Sequence, residues 1–234
     1  MPVPPPDFVP TPWLVWLRKY IWVISGVLAI VTITALRPRL RHVPEPPPVM
    51  FTLPSTWQLV DHHERPFTAD TLHGKVWVAG FVFTSCPSTC PAVTRAMGDL
   101  RERFDRMQVD VEMVSFTVDP VKDTPKVLAD YAAQVGANDK WRFVTGDPEA
   151  IRTLVRDGFR LGIGAPEPSQ SAGGAMYDIA HSTKLALVDG DGNVRGYYGI
   201  EPDEGLDEIF HRAEHVIAEA AMKAREQSRG GGEP

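Results

Sequence analysis

The chain has 234 residues with 24 basic and 30 acidic side chains, a formal net charge of −6. That balance, with no basic patch interleaved with aromatics, argues against a nucleic-acid partner. Two cysteines are too few for a disulfide scaffold, and the length leaves room for a membrane segment, a linker and one domain with a sizeable core.

Residues 1–19 carry prolines at positions 2, 4, 5, 6, 10 and 12, which cannot sit in a helix or strand interior, and read as a tail. Residues 20–36 are an uncharged apolar run, with Arg18 and Lys19 before it and Arg37, Arg39 and Arg41 after it. The run is at the lower edge of the roughly 17–25 residues that span a bilayer, and Trp13, Trp16 and Trp22 supply an interfacial belt. The proline-rich start, the charged exit and the lack of a small-x-small cleavage site favour an uncleaved transmembrane helix over a signal peptide. Charge alone leaves its orientation open, because large domains translocate largely regardless of nearby basic residues. Residues 37–50, with Pro44, Pro46, Pro47 and Pro48, read as a stiff extended linker.

Residues 51–226 read as one domain. Gln58 to Val60 and Pro66 to Phe67 flank a hairpin turn in which the adjacent His62 and His63 are expected to face water. Val76 to Phe83 is an apolar run that leads into Cys86-Pro87-Ser88-Thr89-Cys90, and Val93, Met97, Leu100 and Phe104 lead out with helical spacing. Val109 to Val118 reads as a strand. Thr124 before Pro125 is a cap with proline at the first helical position, so Pro125 to Val135 reads as a helix. Trp141 to Val144 is a short strand, and Asp147-Pro148 repeats the device for a helix to about Phe159. Alternating strands and helices make an α/β sheet protein.

Gly162 to Met176 has no periodicity and reads as a long mobile loop, of a length that in a compact domain is usually functional or disordered. Asp189-Gly190-Asp191-Gly192-Asn193 looks like a calcium loop, but Val194 and Ile200 stand where an EF-hand needs glycine and glutamate. It reads instead as the turn of a hairpin joining Leu185–Val188 to Val194–Tyr198. Leu206, Ile209, Phe210, Ala213, Val216, Ile217 and Ala220 mark a closing amphipathic helix. His211 and His215, four apart on it, are assigned to a solvated face. Residues 227–234 read as a disordered tail.

Both cysteines fall where a strand hands over to a helix, and unpaired N–H groups at a helix start favour the thiolate. Four-residue spacing in a regular turn puts both side chains on one face with Cβ atoms roughly 5–6 Å apart. A disulfide prefers about 3.5–4.5 Å, whereas an ion with bonds of ~2.3 Å to sulfur spans the wider gap. The spacing suits a metal and tolerates a disulfide after local bending.

The order strand, Cys turn, helix, two further strand–helix steps, hairpin and closing helix is that of a thioredoxin-like fold, a central mixed sheet flanked by helices, here behind an N-terminal transmembrane anchor. Within it the chain resembles the SCO/SenC family (synthesis of cytochrome c oxidase). The resemblance is carried by Gly74-Lys75-Val76-Trp77-Val78, by Phe83-Thr84-Ser85-Cys86-Pro87-Ser88-Thr89-Cys90-Pro91, by Val118-Asp119-Pro120 with Asp123-Thr124-Pro125, and by His181-Ser182-Thr183. It implies a copper site made by Cys86, Cys90 and His181, and two soft thiolates with an imidazole suit Cu(I) and Cu(II). Met97 is assigned to the core and Met176 to the loop. SCO-type proteins usually carry an aspartate just before the histidine, where this chain has Ala180.

The function implied is a copper metallochaperone anchored in the inner membrane, with its domain on the periplasmic side. Its partners would be the cytochrome c oxidase subunit that carries the CuA centre and other periplasmic copper chaperones. The alternatives are a thiol–disulfide oxidoreductase, with Cys86 attacking and Cys90 resolving, and a redox or copper sensor.

Overall fold

The computed structural model of the chain describes residues 12–40, 45–85, 90–162, 166–168, 177–179, 183–201 and 205–230. The chain divides into two compact units, residues 1–44 and 45–234.

The first unit is helix α1, Pro12–Leu40. It begins eight residues before the expected start at Tyr20, because Pro12 stands at a helix start, where its missing N–H costs nothing, and no proline follows until Pro38. It also runs four residues past Leu36, into the stretch expected to be linker. Trp13, Trp16, Trp22, Val23, Val27, Leu28, Ile30 and Val31 are all exposed on it. The side chains of residues 33–36, the end of the expected span, lie outside the described residues. Among the described residues, no helix is long and apolar enough to cross a membrane.

The second unit holds strands β1 (Phe51–Thr52), β2 (Gln58–Asp61), β3 (Pro66–Thr68) and β4 (Trp77–Val82), followed by helix α2 (Cys90–Arg106). Then come β5 (Glu112–Thr117), α3 (Pro125–Gln134), β6 (Trp141–Thr145) and α4 (Pro148–Thr153). The chain ends with β7 (Pro166–Pro168), β8 (Tyr177–Ile179), β9 (Leu185–Val188), β10 (Asn193–Tyr198) and α5 (Asp207–Gly230). Eight strands form one sheet in the order β1-β10-β9-β4-β5-β6-β2-β3. β4 pairs parallel with β5, and β5 with β6, while β9 lies antiparallel on the other side of β4. Parallel neighbours need a crossover, and α2 and α3 supply the two here. With a partner on each edge and both faces covered, β4 is buried at every position, which is why it reads as an unbroken apolar run.

Alternation along the strands sorts the core into two faces. Gly80, Ser115, Phe143 and Trp141 belong to the face covered by α2 and α3. Trp141 donates its indole N–H to Ser115 Oγ at 3.0 Å, and Tyr131 of α3 meets the Phe143 ring edge-on at 5.7 Å. A Cβ on Gly80 would lie 3.3 Å from Met97 Sδ of α2, so the glycine makes room for that fully buried methionine. Phe210 of α5 stacks on Phe104 of α2 at 5.2 Å. On the opposite face Trp57, Trp77, Phe81, Phe116 and Phe159 form an aromatic cluster with ring centroids 5.0–6.4 Å apart.

The expected caps are present: Thr124 Oγ1 accepts the Val127 N–H, and Asp147 accepts those of Glu149 and Ala150. The helix expected to reach Phe159 ends at Thr153 and continues as a π turn, Leu154–Gly158. There the Phe159 N–H donates to Leu154 O, and the wider turn carries Phe159 into the aromatic cluster. The stretch Gly162 to Met176, expected to be structureless, contains β7, which pairs antiparallel with β8. Residues 45–50, expected as part of a free linker, pack on the domain: Pro47 is buried, its carbonyl accepts Arg195 Nε at 2.7 Å, and Met50 N–H donates to Val194 O. An extended proline-rich segment leaves its carbonyls unpaired, and Arg195 takes one. At the other end α5 extends to Gly230, beyond the expected domain end at 226.

Candidate functional site

The site expected from the cysteines lies where β4 ends. Cys90 is the first residue of α2 and is 1% exposed. Its Sγ accepts the N–H of Phe83, the residue after the end of β4, at 3.4 Å. The next N–H, that of Thr84, turns instead to Asp123, at 3.1 Å from Oδ2. Thr84 Oγ1 donates to Asp123 Oδ1 at 2.5 Å, and Thr117 Oγ1, at the end of β5, donates to Asp123 Oδ2 at 2.6 Å. Thr117 Oγ1 in turn accepts the Asp119 N–H at 3.0 Å. Two successive backbone donors at the mouth of the cysteine turn are therefore held by two different elements: Cys90 from α2, and Asp123 from the loop between β5 and α3.

Asp123 is fully buried. Burial pushes its carboxyl above the usual aspartate value, against the pull of the Thr117 and Thr84 donors, and the neighbouring Asp119 adds to the rise. The sequence gives Asp123 no role of its own: it stands before the Thr124 cap and in the Asp123-Thr124-Pro125 stretch that carries the resemblance. No periodicity marks a loop carboxylate that reaches back to a strand.

Of the three expected ligands, Cys90 is placed as described, while Cys86 and His181 lie outside the described residues, as do Ala180 and Met176. Among the described residues no three His, Cys, Asp or Glu side chains gather as a metal site. The topology does bear on where the ligand-bearing segments start. Trp77 pairs with Val188, Val78 with Leu187 and Ala79 with Ala186. In this antiparallel register the beginning of β9 lies at the same end of the sheet as the end of β4.

Among the described residues, the other histidines belong to no group of three side chains that could hold a metal. His62, expected to face water, is only 9% exposed; its Nδ1 accepts the Phe143 N–H at 3.1 Å, and burial, with the charge of His63, holds its pKa below the ordinary value. Its ring lies 4.0 Å from that of His63. His211 is exposed and pairs with Glu214 at 3.2 Å. Asp189 behaves as a turn residue: its Oδ1 accepts the N–H groups of Asp191 and Asn193, and Gly192 takes φ +80°, a conformation that favours glycine.

Residues 48–217 match the family model described as SCO1/SenC. The chain belongs to the SCO1/SenC family. It is 33% identical over 151 residues to the SCO1 protein homolog of Bacillus subtilis (strain 168), a match covering 63% of this chain and 74% of that one. The crystal structure of a SCO1/SenC family lipoprotein from Bacillus anthracis str. Ames superposes with a TM-score of 0.63 at 27% identity, over 72% of this chain and 97% of that one. Bradyrhizobium japonicum ScoI, solved with copper bound, has the same fold at 22% identity and a TM-score of 0.58, over 68% of this chain and 96% of that one. The mixed α/β fold with its central sheet is thus that of the thioredoxin-like Sco proteins. The buried sulfur of Cys90 is a soft donor of the kind that suits copper.

Proposed function

We propose that this SCO1/SenC protein is a membrane-anchored copper chaperone. It holds copper through Cys86, Cys90 and His181 and passes it by ligand exchange to the CuA-bearing subunit of cytochrome c oxidase. The observation that carries this reading is the β4–β9 register in a SCO1/SenC chain. Cys86 follows Val82 by four residues and His181 precedes Leu185 by four, so each ligand is within about 14 Å, along the chain, of strand ends that lie side by side. Two thiolates hold Cu(I), and the imidazole adds a harder donor for Cu(II).

The test is copper stoichiometry and affinity in His181→Ala against wild type, beside a disulfide-reduction assay. His181→Ala is expected to lose tight Cu(II) binding. A His181→Ala protein that binds Cu(II) as tightly as wild type would sink the ligand set. If it also reduces partner disulfides at the wild-type rate, the thiol–disulfide reading takes its place.

In this reading α1, with the basic residues that flank its apolar stretch, is the anchor, and the domain faces the periplasm. A tether confines donor and acceptor to one surface and raises their effective concentration. In sealed inside-out membrane vesicles the domain is expected to resist added protease. Complete digestion there would put the domain on the cytoplasmic side and overturn delivery to an outward-facing oxidase centre.

A further inference from the structure

We propose that Asp123 is a positioning residue for copper, which fixes the Cys86 end of the cysteine turn; this rests on the copper reading above. The turn is anchored at two points. At its far end Cys90 is set by the start of α2 and by the Phe83 N–H that its sulfur accepts. At its near end Thr84 is held to the Asp123 carboxylate through both its N–H and its hydroxyl. Asp123 is itself held from the other side by Thr117 at the end of β5 and is fully buried, so the clamp is not exchanged for water.

Cys86 stands two residues beyond Thr84, and two residues reach at most about 7 Å. Holding Thr84 therefore ties the start of the ligand segment to the sheet before any metal arrives. Without the clamp, ordering this segment is a cost charged to copper binding.

The test uses the full chain with Asp123→Ala, Asp123→Asn and Thr117→Val. Two readouts are made: amide hydrogen exchange at Thr84 in the metal-free protein, and Cu(I) and Cu(II) affinity by competition with a chelator. Asp123→Ala is expected to speed Thr84 exchange and to weaken copper by about tenfold or more, the usual cost of losing a residue that orients a ligand. Asp123→Asn keeps one carbonyl oxygen to accept from Thr84, while its amide donates to Thr117, so it is expected to restore most of the affinity. Thr117→Val removes the bond that holds Asp123 from the other side; it is expected to speed Thr84 exchange and weaken copper in the same direction as Asp123→Ala, but by less.

A folded Asp123→Ala protein with wild-type copper affinity, or with unchanged Thr84 exchange, overturns the clamp. So does a Thr117→Val protein that speeds Thr84 exchange yet binds copper as tightly as wild type, since freeing the turn then costs the site nothing. Should Asp123→Ala not fold, Thr84→Val, which loses the hydroxyl bond alone, is read by the same two measurements. A wild-type protein that binds no copper overturns the proposed function, and the clamp is then decided by exchange alone.

Discussion

An Arg195→Met variant is expected to unfold about 6–20 °C below wild type, from a loss of about 3–5 kcal/mol on breaking a buried ion pair. Arg195 is 5% exposed and divides its donors among three segments far apart in the chain. Nη1 meets Asp189 at 3.0 Å, Nη2 meets Glu219 of α5 at 2.6 Å, and Nε donates to the Pro47 carbonyl at 2.7 Å. Burial works against the charge, but the two carboxylates hold its pKa above even the usual arginine value. Methionine fills similar space and removes every donor, so Asp189 loses its ion-pair partner, Glu219 keeps only Lys223, and the Pro47 carbonyl loses its donor. Arg195→Lys is expected to recover only part of the loss, because one ammonium cannot reproduce a planar fork that serves three acceptors. Calorimetry decides the matter: a shift under about 2 °C would mean that the network contributes nothing net.

The same network gives the domain part of its acid sensitivity. Lys223 first, and Arg195 second, hold the Glu219 carboxyl below the usual glutamate value. A depressed carboxyl contributes stability that is present above the unfolded-state value of 4.5 and is lost as pH falls through the lower folded value. Removing Arg195 takes away one of the two cations responsible, so this share of the acid loss is expected to shrink in Arg195→Met. Denaturant midpoints measured from pH 6 down to pH 3 in both proteins test the sign.

What could be read before the fold was known follows from how local each signal is. Thr124-Pro125 and Asp147-Pro148 announce helices because the cap and the proline act within four residues, and both helices start there. The β9–β10 hairpin is legible because the Asp189–Asn193 turn is built from its own side chains and glycines. The strand β7 is not, since three residues of which two are proline carry no period and suit only a strand paired on one side. Neither is the packing of Pro47, whose partner Arg195 lies far along the chain.

The site shows the same division. The cysteine motif is local and could be quoted from the sequence. The Thr84–Asp123–Thr117 clamp joins three separate segments and exists only once β4 and β5 are paired. His62 departs from its expected exposure for a related reason: a turn histidine is expected in water, but β2 pairs with β6 and brings the Phe143 N–H onto its ring nitrogen.

Phe116→Ala is the second change expected to cost most, about 3–5 kcal/mol, as a buried aromatic truncated in a core that relaxes only partly. Phe116 is fully buried and touches four aromatic neighbours. It stacks on Phe81 at 6.1 Å and meets Phe159 at 5.7 Å, Trp77 at 6.2 Å and Trp57 at 6.4 Å. Phe159 belongs to the segment after α4, and its carbonyl accepts the Tyr197 hydroxyl of β10, so the cavity would loosen contacts reaching across the sheet. Phe116→Leu keeps most of the volume and is expected to cost clearly less. The next residue, Thr117, points to the opposite face and holds Asp123. Well below its lowered melting point, Phe116→Ala is therefore expected to bind copper as wild type does, because its cavity opens on the side away from the clamp. A loss of about tenfold in copper affinity in a folded Phe116→Ala protein would mean instead that the aromatic face, and not Asp123, sets the geometry of the turn.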